Sequence, residues 1–126
     1  MDKENLKKIS ALLIHVARID EIYSEKEKKI IKNFIASFSN DEKACESILE
    51  EAEKLESDSI QLFNFTSVIK KESLEVKTEI IEHLWKIIIS DKSVDQYESS
   101  LMRRICGLIY FPDKLSGEIK LKILNQ

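Results

Sequence analysis

The sequence predicts an all-α fold, a single compact bundle of about seven helices. Apolar residues recur at steps of three and four along most of the chain, which is the period of an amphipathic helix. The chain contains only two glycines and one proline, the residues that most disfavour a helix interior. No stretch alternates apolar and polar residues as a half-buried strand would.

Length and composition narrow the class of protein further. A chain of 126 residues is long enough for one domain with a real core, so residues 1–126 are predicted to form a single domain. The net charge is −3 and the lysines are scattered among acids, which argues against a nucleic-acid binder. A polar N-terminus, short apolar runs and two cysteines without metal-site spacing lead us to expect a soluble cytoplasmic protein.

The first helix is predicted over residues 4–19, where the apolar residues form one face. Ser24 is then the predicted N-cap of a second helix, and Glu27, three residues later, completes a capping box. The apolar stripe of this helix continues to Phe38. A third helix, over 42–56, is acidic with a thin apolar side, so we expect it on the outside of the bundle.

The fourth helix is predicted to end near residues 70–71, and Ser73 is the predicted N-cap of the fifth. Residues 76–89 are apolar around most of the fifth helix, which places that helix in the middle of the bundle. Asp95 is the predicted N-cap of the sixth helix. Pro112 marks a sharp boundary, after which a short seventh helix closes the chain.

Two acidic turns share one pattern and suggest an internal repeat. The first elbow comprises residues 20–27 and the second comprises residues 91–98, at an offset of 91 − 20 = 71 residues. Both read D-x-x-h-[SD]-x-x-E, where h is apolar, and both lie between predicted helices. We therefore predict a pseudo-two-fold repeat of helix–acidic turn–helix units. The repeat leaves open whether the elbows lie near one another or at opposite ends of the bundle.

Most elbow residues have a simple structural interpretation. Ser24 and Asp95 are typical N-caps, each worth about 0.5–2 kcal/mol. Asp20 and Asp91 are harder to explain, because a carboxylate at the end of a helix faces the negative end of its dipole at a cost of about 0.3–1 kcal/mol. Each Asp could cap its own turn, or pair with the later acids to hold a hard cation such as Ca²⁺, Mg²⁺ or Mn²⁺.

No sequence motif indicates an enzyme. The chain lacks a zinc-protease HExxH, a glycine-rich phosphate loop and a nucleophile elbow. A di-iron Glu-x-x-His motif would need an acid where Ile80 stands, so His83, like His15, is better explained as a solvent-edge or hydrogen-bonded histidine. The second elbow is not an EF-hand either, because Gln96 and Met102 occupy the positions of the required Gly and Glu.

Together these motifs resemble the TerB family, the tellurite-resistance-associated domain, which is also similar to the N-terminal domain of DjlA-type co-chaperones. The family pattern A-x-x-D-G-x-h-x-x-x-E corresponds to residues 17–27 and 88–98, and its Leu-Trp pair to Leu84 and Trp85. The glycine after each Asp is replaced here by Glu21 and by Lys92. The resemblance extends over about residues 6–124.

The resemblance implies an all-helical fold, a role in cation binding, and membership of stress-response or membrane-proximal protein complexes. The implied metal ligands are Asp20, Glu27, Asp91 and Glu98, to which the local sequence adds Asp95.

Two functions are therefore predicted. The first is a non-enzymatic module that binds a divalent cation or a protein partner through its elbows. The alternative is a purely structural protein–protein interaction domain without metal, like the N-terminal domains of the co-chaperones. It would use an apolar groove between helices and depend on exposed aromatic residues such as Tyr97 or Tyr110.

Overall fold

The all-α prediction is confirmed. A computed structural model of the chain describes residues 2–19, 23–58, 62–90 and 96–126, with the backbone alone at 62–64 and 96–97. These ranges contain seven helices and no strand. The helices are α1 Lys3–Ala17, α2 Glu25–Ala36, α3 Glu42–Asp58, α4 Leu62–Ile69, α5 Leu74–Ile89, α6 Gln96–Ile109 and α7 Asp113–Leu124.

Helix α1 is enclosed by its neighbours on every side. It packs against α2, α3, α4 and α5, and residues 9–14 are all 0% exposed. Sequence periodicity predicts one apolar face, but Ser10, Ala11 and Ile14 are buried as fully as that face. The difference arises because four helices surround α1, so that its small and polar positions are covered too.

Helix α5 is also buried around most of its circumference, as its sequence predicts. Ile80, Ile81 and Leu84 are 0% exposed, and the helix packs against α1, α2 and α7. Even two of its polar residues, Lys77 and His83, are buried. The core therefore lies between α1 and α5. Helices α2, α3, α4 and α7 pack against one or both of this pair, and α6 packs on α4 and α7. Helix α3 covers α1 and buries only Ile48, Leu49 and Ala52, as its thin apolar side predicts.

Trp85 attaches α7 to α5. Its indole Nε1–H donates a buried hydrogen bond of 3.0 Å to Ser116 Oγ, and the ammonium of Lys120 lies 5.2 Å from its ring centre. This satisfies the polar atom of a large side chain that is only 4% exposed. The outer side of α7 is left uncovered, where Leu121 and Leu124 are exposed.

Two of the predicted helix boundaries are confirmed, at the starts of α5 and α7. Ser73 caps α5 by accepting a 3.2 Å bond from the Val76 amide. Pro112 stands at the N-cap of α7, at the boundary that the sequence predicts. The predicted cap at Asp95 falls outside the described residues, and the predicted pseudo-two-fold relation, which depends on both elbows, stays a prediction.

Helix α6 ends in a Schellman motif in which a tyrosine, rather than a glycine, has a positive φ. The Phe111 amide donates to the Cys106 carbonyl at 2.8 Å and the Tyr110 amide to the Gly107 carbonyl at 3.4 Å. Tyr110 has φ 60°, in the left-handed region that glycine normally fills, and a residue with a Cβ pays about 1–2 kcal/mol there. Gly107, inside the helix, costs about 1 kcal/mol relative to alanine.

Burial raises the pKa of the Cys106 thiol, as expected for an unreactive core cysteine.

Candidate functional site: the two acidic elbows

The described part of the first elbow is a capping box, as predicted. The Glu27 amide donates to Ser24 Oγ at 3.1 Å, and Glu27 Oε1 accepts from the Ser24 amide at 2.9 Å. The Ser24 hydroxyl also donates to Glu27 Oε1 at 2.9 Å. Glu27 is only 8% exposed. This carboxylate therefore has a structural role at the start of α2, whatever else it binds.

The flanks of the two elbows meet at one end of the bundle. The ammonium of Lys26, two residues after the α2 cap, donates a 3.0 Å hydrogen bond to the backbone carbonyl of Ser90. Ser90 is the C-cap of α5, immediately before the second elbow. A cation at the C-terminal end of a helix is stabilised by the helix dipole. The described flanks of the two elbows therefore lie next to one another.

The predicted ligand set is only partly visible. Glu27 lies in α2, and Glu98 lies in the first turn of α6. Asp20, Asp91 and Asp95 fall outside the described residues. In the part of the chain that the structure describes, no three His, Cys, Asp or Glu side chains gather as a metal site would require.

Charged side chains hold the first elbow against α3. The Arg18 guanidinium donates to Glu56 Oε1 at 2.6 Å and to Ser57 Oγ at 3.0 Å. On the other side of the elbow, Lys28 Nζ lies 3.7 Å from Glu53 Oε2. Glu53 and Glu56 stand three residues apart and so share one face of α3. The two sides of the elbow are thereby attached to the same helix.

Tyr23 lies between these two ion pairs. Its ring centre is 5.2 Å from Arg18 Cζ and 5.7 Å from Lys28 Nζ, within the range of cation–π attraction. Its hydroxyl is shielded from water and has no partner with full hydrogen-bond geometry. The carboxylate of Glu53 nevertheless interacts with this hydroxyl electrostatically. Burial, and then the negative charge of Glu53, raise the pKa of the phenol.

This arrangement of charges around Tyr23 is absent from the sequence predictions. Arg18 and Glu56 are 38 residues apart, and no local pattern indicates that α1 and α3 are neighbours. Two signals in the sequence could have indicated this arrangement. Tyr23 occupies the apolar position of the elbow pattern, where a buried ring is expected. The two glutamates on α3 have the i, i+3 spacing that places them on one face of a helix.

The two histidines are hydrogen-bonded in the structure. His83 Nδ1 lies 2.8 Å from the Glu79 carbonyl, and its ring meets the ring of Phe34 edge-on at 5.2 Å. His15 Nδ1 lies 3.4 Å from Glu56 Oε2. These contacts agree with the interpretation of both residues as hydrogen-bonded histidines.

The family model described as tellurite resistance protein TerB matches residues 7–121, which is nearly the whole chain. The chain belongs to the TerB family. No curated protein and no solved structure matches it. Membership of the TerB family confirms the resemblance drawn from the elbow motifs and the Leu84–Trp85 pair. Among the described helices of this TerB-family chain, none has both the length and the apolar character needed to cross a membrane.

The capping box predicts a graded response at position 27. Ser24→Ala should lower the free energy of unfolding by about 0.5–2 kcal/mol. Glu27→Gln should cost clearly less than Glu27→Ala, because glutamine also serves as the third residue of a capping box. Urea unfolding measures all three, with Glu25→Gln as an exposed control for the loss of charge. Equal losses for the Gln and Ala variants at position 27 would show that the charge of Glu27, rather than its hydrogen bonds, stabilises the elbow.

The raised pKa of Tyr23 predicts a loss of stability in alkali. Above about pH 10 the unfolded chain releases the phenolic proton while the folded chain keeps it. The unfolded state then binds fewer protons, so stability falls as the pH rises. Tyr23→Phe removes this contribution and should unfold with a weaker dependence on pH between neutral and alkaline conditions. Parallel pH profiles for wild type and variant in denaturant titrations would contradict the prediction.

Proposed function

We propose that this TerB-family chain is a non-enzymatic module whose two acidic elbows together bind one divalent cation, Ca²⁺, Mg²⁺ or Mn²⁺. The observation that supports the proposal is the bond between Lys26 and Ser90, which joins the flanks of the two elbows. Carboxylates from both elbows could then coordinate a single ion, and oxygen ligands suit these hard cations. The proposed ligands are Asp20, Glu27, Asp91, Asp95 and Glu98.

The described charges indicate how strong such binding should be. Lys26 already brings a positive charge to the end of α5, and Lys92 follows the first Asp of the second elbow. A bound cation would be repelled by both ammonium groups. Glu27 Oε1 already accepts two bonds from Ser24. We therefore expect modest affinity, which calls for ion concentrations in the millimolar range.

Thermal unfolding after chelation, and after adding each ion in turn, tests the cation proposal. A ligand at about 100 times its dissociation constant adds about 2.7 kcal/mol to the stability of the native state. Ca²⁺, Mg²⁺ or Mn²⁺ should therefore raise the midpoint by several degrees. The double variant Asp20→Asn/Asp91→Asn should lose this rise.

A matched control separates a site from a general effect of charge. Glu46→Gln/Glu50→Gln removes the same charge from exposed positions of α3, and this variant should keep the full response to the ion. A flat response of wild type to all ions, or an equal rise in both double variants, would return the elbows to a purely structural role.

The description of the family also suggests a setting for this activity. We propose that the module acts in a stress response of the tellurite-resistance kind. Cells that depend on the chain should then lose tolerance to tellurite when it carries Asp20→Asn/Asp91→Asn, and keep it with Glu46→Gln/Glu50→Gln. Equal tolerance with both double variants would separate the elbows from that response.

A second candidate function is a metal-independent domain that binds a protein partner. The observation in its favour is Tyr110, which is 67% exposed at the end of α6. Exposed tyrosines are enriched at protein interfaces, where one side chain supplies a large contact area. The other aromatic residue predicted for this function, Tyr97, has a side chain outside the described part of the structure.

A further inference from the structure

A groove of about 650 Å³ opens where α4 and α6 end and α1 begins. We refer to it as the α4–α6 groove. The residues that line it and enter the argument are Asn5, Lys70, Lys71, Gly107, Leu108 and Tyr110. The described carboxylates and flanks of the elbows do not line it.

Gly107 lines the groove without a packing reason to be glycine. A Cβ built on this residue would meet no atom within 4 Å, so alanine would fit. Alanine would also favour the helix more strongly. Glycine here leaves open space in the wall of the groove.

Tyr110 lines the same groove in a conformation that glycine would adopt more easily. Its φ of 60° comes from the Schellman turn that ends α6. Tyr110 is 67% exposed, so burial offsets little of the strain. The ammonium of Lys70 lies 4.6 Å from the centre of the ring.

Gly107 and Tyr110 are therefore both less stable choices than another residue would be, in opposite ways, and they lie close together in the sequence. The last turn of α6 has glycine where alanine would be more stable, and the residue after the helix is tyrosine where glycine would be more stable. Both residues face the groove. Local choices that reduce stability without a packing gain are expected where a surface has a function.

The charges of the groove indicate what binds there. Lys70 and Lys71 line it against one acid, Glu72, whereas the whole chain has a net charge of −3. The groove is thus a locally positive site on an acidic protein. Beside the lysines lie the amide of Asn5 and the apolar surfaces of Leu108 and Tyr110. An occupant that matches this lining has carboxylates next to an apolar side chain.

We propose that the α4–α6 groove binds an acidic peptide segment of a partner protein. Carboxylates of the segment pair with Lys70 and Lys71, and an apolar side chain packs on Tyr110 and Leu108. This inference deepens the second candidate function and rests on it, and it needs no cation.

Selection from a library of random short peptides, displayed on phage and presented to the whole chain in chelator, tests the proposal. The selected peptides should be rich in Asp and Glu beside an apolar residue. Their affinity should fall at least tenfold for Tyr110→Gly and for Lys70→Gln/Lys71→Gln. Leu121→Ser, which changes an exposed apolar residue on α7, should leave it unchanged.

A stability measurement keeps the result interpretable. Tyr110→Gly should unfold at the same temperature as wild type or higher, because glycine relieves the backbone strain. Loss of binding then reflects the missing ring rather than a damaged fold. Amide shifts in the NMR spectrum on adding a selected peptide should concentrate at residues 66–72 and 107–110.

Several outcomes would overturn the proposal. Neutral or basic peptides, or peptides insensitive to the lysine and Tyr110 variants, would place binding elsewhere and leave only the general interaction function. No selected peptide at all would count against the groove and that function together. Sedimentation with phosphatidylserine vesicles that requires Lys70 and Lys71, in the absence of acidic peptides, would assign the groove to a membrane surface instead. Because chelator is present throughout, none of these results bears on the cation proposal.

Discussion

Helix α1 has to be covered on every side, because its middle turns are buried all round the helix axis. Each fully buried Leu or Ile contributes about 1.5–3 kcal/mol relative to an exposed one. One helix cannot cover such a surface, and α2, α3, α4 and α5 share it. Arranging four helices around one leaves few choices for their relative positions. The neighbours of α1 are thereby also brought against one another, as α2 is against both α3 and α5.

The position of the elbow flanks follows from this packing. Because α2 and α5 share α1 and touch each other, the start of α2 and the end of α5 come together, and Lys26 reaches the Ser90 carbonyl. The same end of the bundle carries the ion pairs of Arg18 and Lys28 with α3. Such pairs contribute little to stability when exposed, but here they attach the residues on both sides of the first elbow to α3. The apolar core thus brings the flanks of the two elbows together, and charged contacts attach the flanks of the first elbow to α3.

Features set by neighbouring residues could be predicted from the sequence. The capping box of Ser24 and Glu27 depends on a spacing of three residues, so the local pattern was sufficient. Contacts between distant residues could not be predicted in this way. The bond from Lys26 to Ser90 spans 64 residues, and the bond from Trp85 to Ser116 spans 31. Burial of Ser10 was missed because a hydroxyl is counted as polar until the surrounding helices are known. The strain at Tyr110 is a property of φ, which the residue type does not reveal.

Native-state hydrogen exchange tests the central position of α1 most directly. The amides of Leu12, Leu13 and Ile14 should exchange only through global unfolding, with the same free energy as denaturant unfolding and as Leu84 in α5. The amide of Leu121 in the less covered α7 should exchange through smaller openings. If the α1 amides opened at a markedly lower free energy than those of α5, the bundle would not depend on the burial of α1.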